Sequence, residues 1–134
     1  REIGFQPRIQ CAYRSEDDQL RAYHEGRTKL RWGFHNAVTS KGKPEALAAD
    51  IIDDKRLYGA DSRYWLRLAW IAEQHGCVTG ILWGLETWAK QAVNRAIENR
   101  AFGAAVRIGW DPGHVQPREI SVKLARKGMR PWAS

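Results

Sequence analysis

The sequence predicts an α+β fold: a small, mainly antiparallel sheet packed with about three helices. Three observations carry this. Two stretches place apolar residues at helical spacing behind good caps. Several short apolar runs have strand length. The two kinds of element do not alternate as regular βαβ units would require. At 134 residues the chain is one domain's worth, and 43% apolar residues with seven tryptophans can fill a real core.

The elements follow in order. Ser15-Glu16-Asp17-Asp18 reads as a helix start. Ser15 can cap the free backbone amides, Asp18 sits at the capping-box position, and three acids suit the positive helix end. That helix runs through Gln19, Leu20 and Tyr23 and stops near Gly26. A polar loop is expected over 27–44. The run 46–52, Ala-Leu-Ala-Ala-Asp-Ile-Ile, reads as a buried strand. A second helix starts at Asp61 or Ser62 and ends before Gly76, with Trp65, Leu68, Ala69 and Ala72 on one side. Residues 78–83 read as a strand. Thr87 can cap a third helix from Trp88 to about Ala101, with Ala92, Ala96 and Ile97 on one side. Residues 104–110 form a candidate strand, followed by a turn, Asp111-Pro112-Gly113-His114.

Several classes are excluded or unsupported. Two cysteines, Cys11 and Cys77, rule out a disulfide scaffold and a four-cysteine zinc ribbon, and both read as buried thiols. No apolar run approaches the length of a membrane span. No leader is visible after Arg1 and Glu2. No phosphate loop, Gly-x-Gly-x-x-Gly, His-Glu-x-x-His or Gly-x-Ser-x-Gly occurs. The net charge is +7, and residues 100–134 carry seven Lys/Arg against two acids. Such a basic end suits nucleic acid or an anionic envelope, and charge alone does not choose.

What remains is a set of candidate metal ligands. Asp50 sits inside an apolar run, where a lone carboxylate is costly unless paired or metal-bound. His114 follows Asp111 by three residues, so both can face one pocket. His35 begins a loop that leads to Asp50. Two neutral imidazoles and one carboxylate can hold Zn²⁺ and leave a position for water. Asp111 would then stand beside the metal as a proton acceptor. The plain alternative is two ordinary loop histidines. His24 and His75 read as non-ligands, the latter suited to a helix C-terminus.

The motifs then acquire a pattern. Tyr13-Arg14-Ser15, Gln19, Tyr23 and Gly26-Arg27 form a first block. His35-Asn36 with Ala48-Ala49-Asp50-Ile51 forms a second. Asp111-Pro112-Gly113-His114-Val115-Gln116 forms a third. Together these resemble the zinc D-Ala-D-Ala carboxypeptidase and L-alanyl-D-glutamate peptidase family, which includes many phage endolysins. The blocks occur in family order over residues 11–116. The resemblance implies a zinc site in a cleft over the sheet. His35, Asp50 and His114 match its zinc ligands, and Asp111 its general base. Arg14 matches the arginine that steadies the oxyanion or a substrate carbonyl. Ser15 and Gln19 match polar positions that line the cleft and bind substrate. Beside these roles stand plainer ones: Ser15 as a helix cap, and Arg14 as a surface ion-pair partner.

This sequence departs from the family in two places. His35 and Asp50 are fifteen residues apart, where the commonest family pattern is shorter and carries a Gly. A helix over about 87–102 stands where many relatives have a short loop. It can form one wall of a groove, with Trp83, Trp88 or Trp110 against substrate or in the core.

The resemblance implies a peptidoglycan-degrading peptidase of the phage-lysin type. It would be a monomer that cuts an amide of the stem peptide, with L-Ala–D-Glu favoured. Residues 1–116 would be the peptidase domain and 117–134 a basic C-terminal extension of the same domain. Synthesis in the host cytoplasm and action at the periplasm or cell wall are expected. In the extension, Arg118, Lys123, Arg126, Lys127 and Arg130 are interleaved with Ile120, Val122, Leu124, Met129 and Trp132. It could bind an anionic outer-membrane surface or simply be a solvated tail. The alternatives are a basic nucleic-acid-binding domain and a catalytically silent wall-binding module. The first leaves Asp50 and the Asp111–His114 pair unexplained, so no nucleic-acid partner is expected.

Overall fold

The computed structural model describes residues 5–28, 30, 32–43 and 45–130. Arg1, Glu2 and Trp132, which figure in the reading above, lie outside these. Among the described residues, strands β1 (Pro7–Cys11), β2 (Ala49–Asp53), β3 (Cys77–Gly80) and β4 (Asp111–Pro117) form one sheet in the order β1-β2-β4-β3. All three pairings are antiparallel. Four α-helices accompany the sheet: α1 (Glu16–His24), α2 (Ser62–Gln74), α3 (Thr87–Glu98) and α4 (Val122–Arg126). The expected α+β class with an antiparallel sheet is therefore what the chain adopts.

The helix signals hold locally. Ser15 Oγ accepts the Asp18 amide at 3.1 Å, and α1 is followed by Gly26 at φ +77. Asp61 caps α2 by accepting from the Arg63 amide at 3.0 Å. The N-cap of α3 is Glu86, one residue before the expected Thr87, and it makes no side-chain capping bond. The short helix α4 was not expected, because its stretch reads as basic with few large apolar residues. Its start is nonetheless conventional: Ser121 Oγ accepts the Leu124 amide at 3.1 Å.

The strand signals fared worse, for reasons visible in the ladder. Residues 104–110 do not form a strand. Ala104, Val106 and Ile108 do pack on the core with alternating burial, so the period of two is real. The segment has no strand partner among the described residues, however, and its Gly109 and Trp110 amides donate to the Ile81 and Trp83 carbonyls. The expected turn at 111–114 is instead the start of β4, with Pro112 and Gly113 taken up in a bulge. Strand β3 stops at Gly80, because 81–84 turn away and Gly84 takes φ +80. Strand β1 was missed, since most of it is exposed and it lacks a clear alternation.

Two apolar clusters hold the unit together. The larger joins Ile52 of β2 to Trp65, Leu66 and Ala69 of α2 and Val93, Ala96 and Ile97 of α3. The smaller joins Phe34, Ala37, Leu47 and Ala48 to Ile120 and Ala125. Residues 117–130 are therefore packed into the same body and are not a solvated tail. Arg130 fastens them: its guanidinium donates to Glu45 Oε1 at 2.5 Å, to the Val38 carbonyl at 2.7 Å and to the Ala125 carbonyl at 2.9 Å.

Candidate metal centre

Register places the donors. Cys11 of β1 lies opposite Asp50 of β2, and Asp50 lies opposite His114 of β4. Residues paired directly across antiparallel strands share a face, so three donor side chains stand abreast. Both strands that flank β2 are irregular at this point. In β1 the shift between Ile9 and Cys11 brings Cys11, rather than Gln10, opposite Asp50. In β4 the shift against β3 pairs Gly80 with Asp111 and leaves 112–114 as extra residues. Residues three apart on a regular strand point to opposite faces; the bulge lets Asp111 and His114 line one pocket. Gly80 makes room for this, since a Cβ there would run into the Asp111 carbonyl oxygen.

His35 arrives from above, on a single 3-10 turn at Phe34–Asn36 inside the polar loop. That turn is clipped to the Arg14 segment. The Arg14 amide donates to the His35 carbonyl at 2.8 Å, and buried Asn36 donates to the Arg14 carbonyl at 2.7 Å. Asn36 Oδ1 in turn accepts the Gly33 amide at 2.7 Å. The fifteen-residue separation of His35 and Asp50 is thus bridged by a folded loop.

The two imidazoles converge on one carboxylate oxygen. His35 Nε2 is 3.6 Å from Asp50 Oδ1, and His114 Nδ1 is 3.5 Å from it. The three side chains are only 9%, 13% and 11% exposed for His35, Asp50 and His114. Each ring's other nitrogen is occupied. His35 Nδ1–H donates to the Ala12 carbonyl at 2.6 Å, and His114 Nε2–H donates to Gln116 Oε1 at 2.8 Å. In the neutral rings, the nitrogens facing Asp50 therefore carry lone pairs. Asp50 Oδ1 is buried and makes no hydrogen bond. Two imidazole lone pairs aimed at one buried carboxylate oxygen suit a cation beside Asp50, although His35 and His114 fall into different donor groups. Donors on a tetrahedral ion with bonds of about 2.0–2.2 Å stand about 3.3–3.6 Å apart, which these separations match. The carbonyl and amide behind the rings are the usual outer partners of ligating histidines.

Donor atoms fall into two groups that share Asp50, each with all its atoms within 4.8 Å of one another. One is Cys11, His35 and Asp50; the other is Asp50, Asp111 and His114. These groups could bind a metal ion. Burial works to raise the Asp50 carboxyl, but when the His114 and His35 rings are protonated their N–H bonds and charge outweigh it and hold it far below the usual carboxylate range. Burial would lower His35, yet Asp50 and the Ala12 carbonyl raise it. Asp111 is raised, first by burial and then by the Asp50 charge. Two neighbouring carboxylates are thus pushed apart: one is a firm anion, the other a readier proton acceptor.

The other expected residues divide. Arg14 lines the same pocket, a cavity of about 210 Å³, and its Nη1 donates to Gln19 Oε1 at 3.1 Å. Gln19 is buried, and its amide nitrogen donates to the Leu30 carbonyl at 2.6 Å. Its polar atoms therefore position Arg14 and the loop. Ser15 caps α1 and does not line the pocket. Trp83 packs at a tilt against both Trp110 and His114, with ring centroids 5.4 and 5.0 Å away, and both tryptophans line the pocket, while exposed Trp88 does not. His24 and His75 are exposed and belong to neither donor group.

Sequence reasoning missed Cys11 and Gln116 as parts of the site. Cys11 is half-buried and free, not sequestered in core. Had 111–117 been read as a strand, Gln116 would have stood out, two residues from His114 on the same face. No helix among the described residues is long and apolar enough to cross a membrane. Comparisons with family models, curated proteins and solved structures return no match.

Proposed function

We propose that the chain is a zinc peptidase that degrades peptidoglycan, hydrolysing an amide of the stem peptide, with L-Ala–D-Glu as the favoured bond. One observation carries the reading: a buried carboxylate oxygen without a hydrogen bond, faced by two imidazoles, with a second, raised carboxylate in the same pocket. The order of the three sequence blocks supplies the substrate class.

His35, Asp50 and His114 would hold the ion. Zinc bound there supplies Lewis acidity, polarising a carbonyl and bringing the pKa of water from about 15.7 toward about 7. Asp111 takes the proton of the attacking water and returns it to the leaving amine. Arg14, steadied by Gln19, offers its guanidinium to the charge that develops on the carbonyl oxygen. Trp110 and Trp83 wall one side and limit water around the reacting bond. Arg14 and Arg27 of the pocket and the basic face of α4 suit the carboxylates of the stem and an anionic envelope.

The test is hydrolysis of purified peptidoglycan, with mass spectrometry of the released fragments. New N-terminal D-Glu ends that depend on zinc and on Asp111 support the proposal. Fragments without a cut amide, or a cut that persists in Asp111→Ala, contradict it.

A further inference from the structure

The thiol of Cys11 has no place in the mechanism above, yet it stands among the donors. Its Sγ, a nitrogen of His35 and an oxygen of Asp50 all lie within 4.8 Å of one another. The placement is built into the sheet. A regular continuation from the Ile9–Ile51 pair would put Gln10 opposite Asp50, and the irregularity in β1 puts Cys11 there instead. Bulges commonly re-aim a side chain beside a functional site. The matching irregularity in β4 serves Asp111 and His114 in the same way. The two strands flanking β2 are therefore both distorted at the one level where Asp50 lies between them.

We infer that Cys11 is a thiolate ligand of the ion that His35 and Asp50 hold, which makes the centre a mixed sulfur, nitrogen and oxygen site. The inference rests on the metal-centre reading and adds to it a donor that the sequence blocks do not contain. A thiolate binds only deprotonated and favours soft or borderline ions, so it selects zinc or cobalt over magnesium or calcium. It does not close the site to water, since zinc in hydrolytic centres can expand to five ligands. The other cysteine makes a control. Cys77 lies on β3, and its Sγ contacts the His75 carbonyl at 3.7 Å.

The experiment is titration of the metal-free full chain with a Co²⁺ salt, read by absorption. A thiolate on cobalt gives a near-ultraviolet charge-transfer band, and any four- or five-coordinate cobalt gives visible d–d bands. The expected result is both bands in the wild type and in Cys77→Ser. Cys11→Ser should lose the charge-transfer band while keeping the visible bands and one cobalt per chain. Zinc should also protect Cys11, and not Cys77, of the wild type from iodoacetamide. Visible bands without a charge-transfer band in the wild type overturn the Cys11 assignment and leave the metal centre standing. A band that survives Cys11→Ser, or alkylation of Cys11 unaffected by bound zinc, overturns it equally. Failure of the wild type to retain either metal overturns the ligand assignment and the metal centre together.

Discussion

His114 Nδ1 faces Asp50 Oδ1 at 3.5 Å across the β2–β4 pair, with both side chains nearly buried and no hydrogen bond joining them. The relationship makes sense once a cation is placed between the two atoms. Asp50→Asn keeps the shape and removes the charge. Zinc affinity should fall by more than about 100-fold, beyond the loss usual for an outer partner, with the circular dichroism spectrum unchanged. Equilibrium dialysis against a zinc buffer measures this.

Gln116 orients His114 by accepting from Nε2–H at 2.8 Å. Gln116→Ala should weaken zinc binding by about 10–100-fold through loss of ring orientation, without removing a ligand. A variant that binds zinc as tightly as the wild type would show that the ring is fixed by packing against Trp83 alone.

Gly80 tests the bulge. Any side chain there meets the Asp111 carbonyl oxygen and the Trp83 ring. Gly80→Val should cost about 1–3 kcal/mol of stability, as overpacking does. It should also depress wall lysis more than zinc binding, because His35 and Asp50 lie on other elements. Thermal melts and lysis rates on the same sample separate the two effects.

Asp53 gives the pH dependence of the fold. It is buried, and its carboxyl accepts from the Gln6 amide at 2.9 Å and from the Arg56 amide and guanidinium at 3.1 Å. The Gln6 bond first, and then Arg56, hold it below its ordinary 3.8. A depressed carboxyl contributes stability that is present above its unfolded pKa and is lost as pH falls through the folded one. Asp53→Asn should therefore melt several degrees below the wild type at neutral pH, and the gap should close below pH ~4. A gap that is constant with pH would show that the charge of Asp53 is not what the bonds recognise.

The basic face of α4 needs a charge test, since deleting residues 118–134 would also remove Ile120 and Ala125 from a core cluster. Arg126 lies over the Trp32 ring at 5.9 Å. Arg126→Glu with Lys127→Glu should abolish salt-sensitive adhesion to anionic vesicles and spare zinc binding. Unchanged adhesion would assign the affinity elsewhere.

The sequence showed the parts of this molecule that local chemistry decides. Ser15 and Asp61 start helices because their oxygens meet free amides, and Gly26 and Gly76 follow helix ends because they can take positive φ. Asp50 could be picked out because a carboxylate in an apolar run needs a partner. What stayed hidden depends on pairing. The extended segment at 104–110 looks like a strand but finds no ladder, while Pro112 and Gly113 look like a turn but sit in a bulged strand. Cys11 joins the site only because a one-residue shift in β1 sets its register, and no spacing rule reports that.

The proposed zinc peptidase centre stands or falls on zinc stoichiometry together with wall lysis, for the wild type and for His114→Ala. One zinc per chain is expected in the wild type, with both zinc and lysis lost in the variant. A wild type that takes up no zinc when the metal is added to folded protein, or a variant that keeps both, would contradict it.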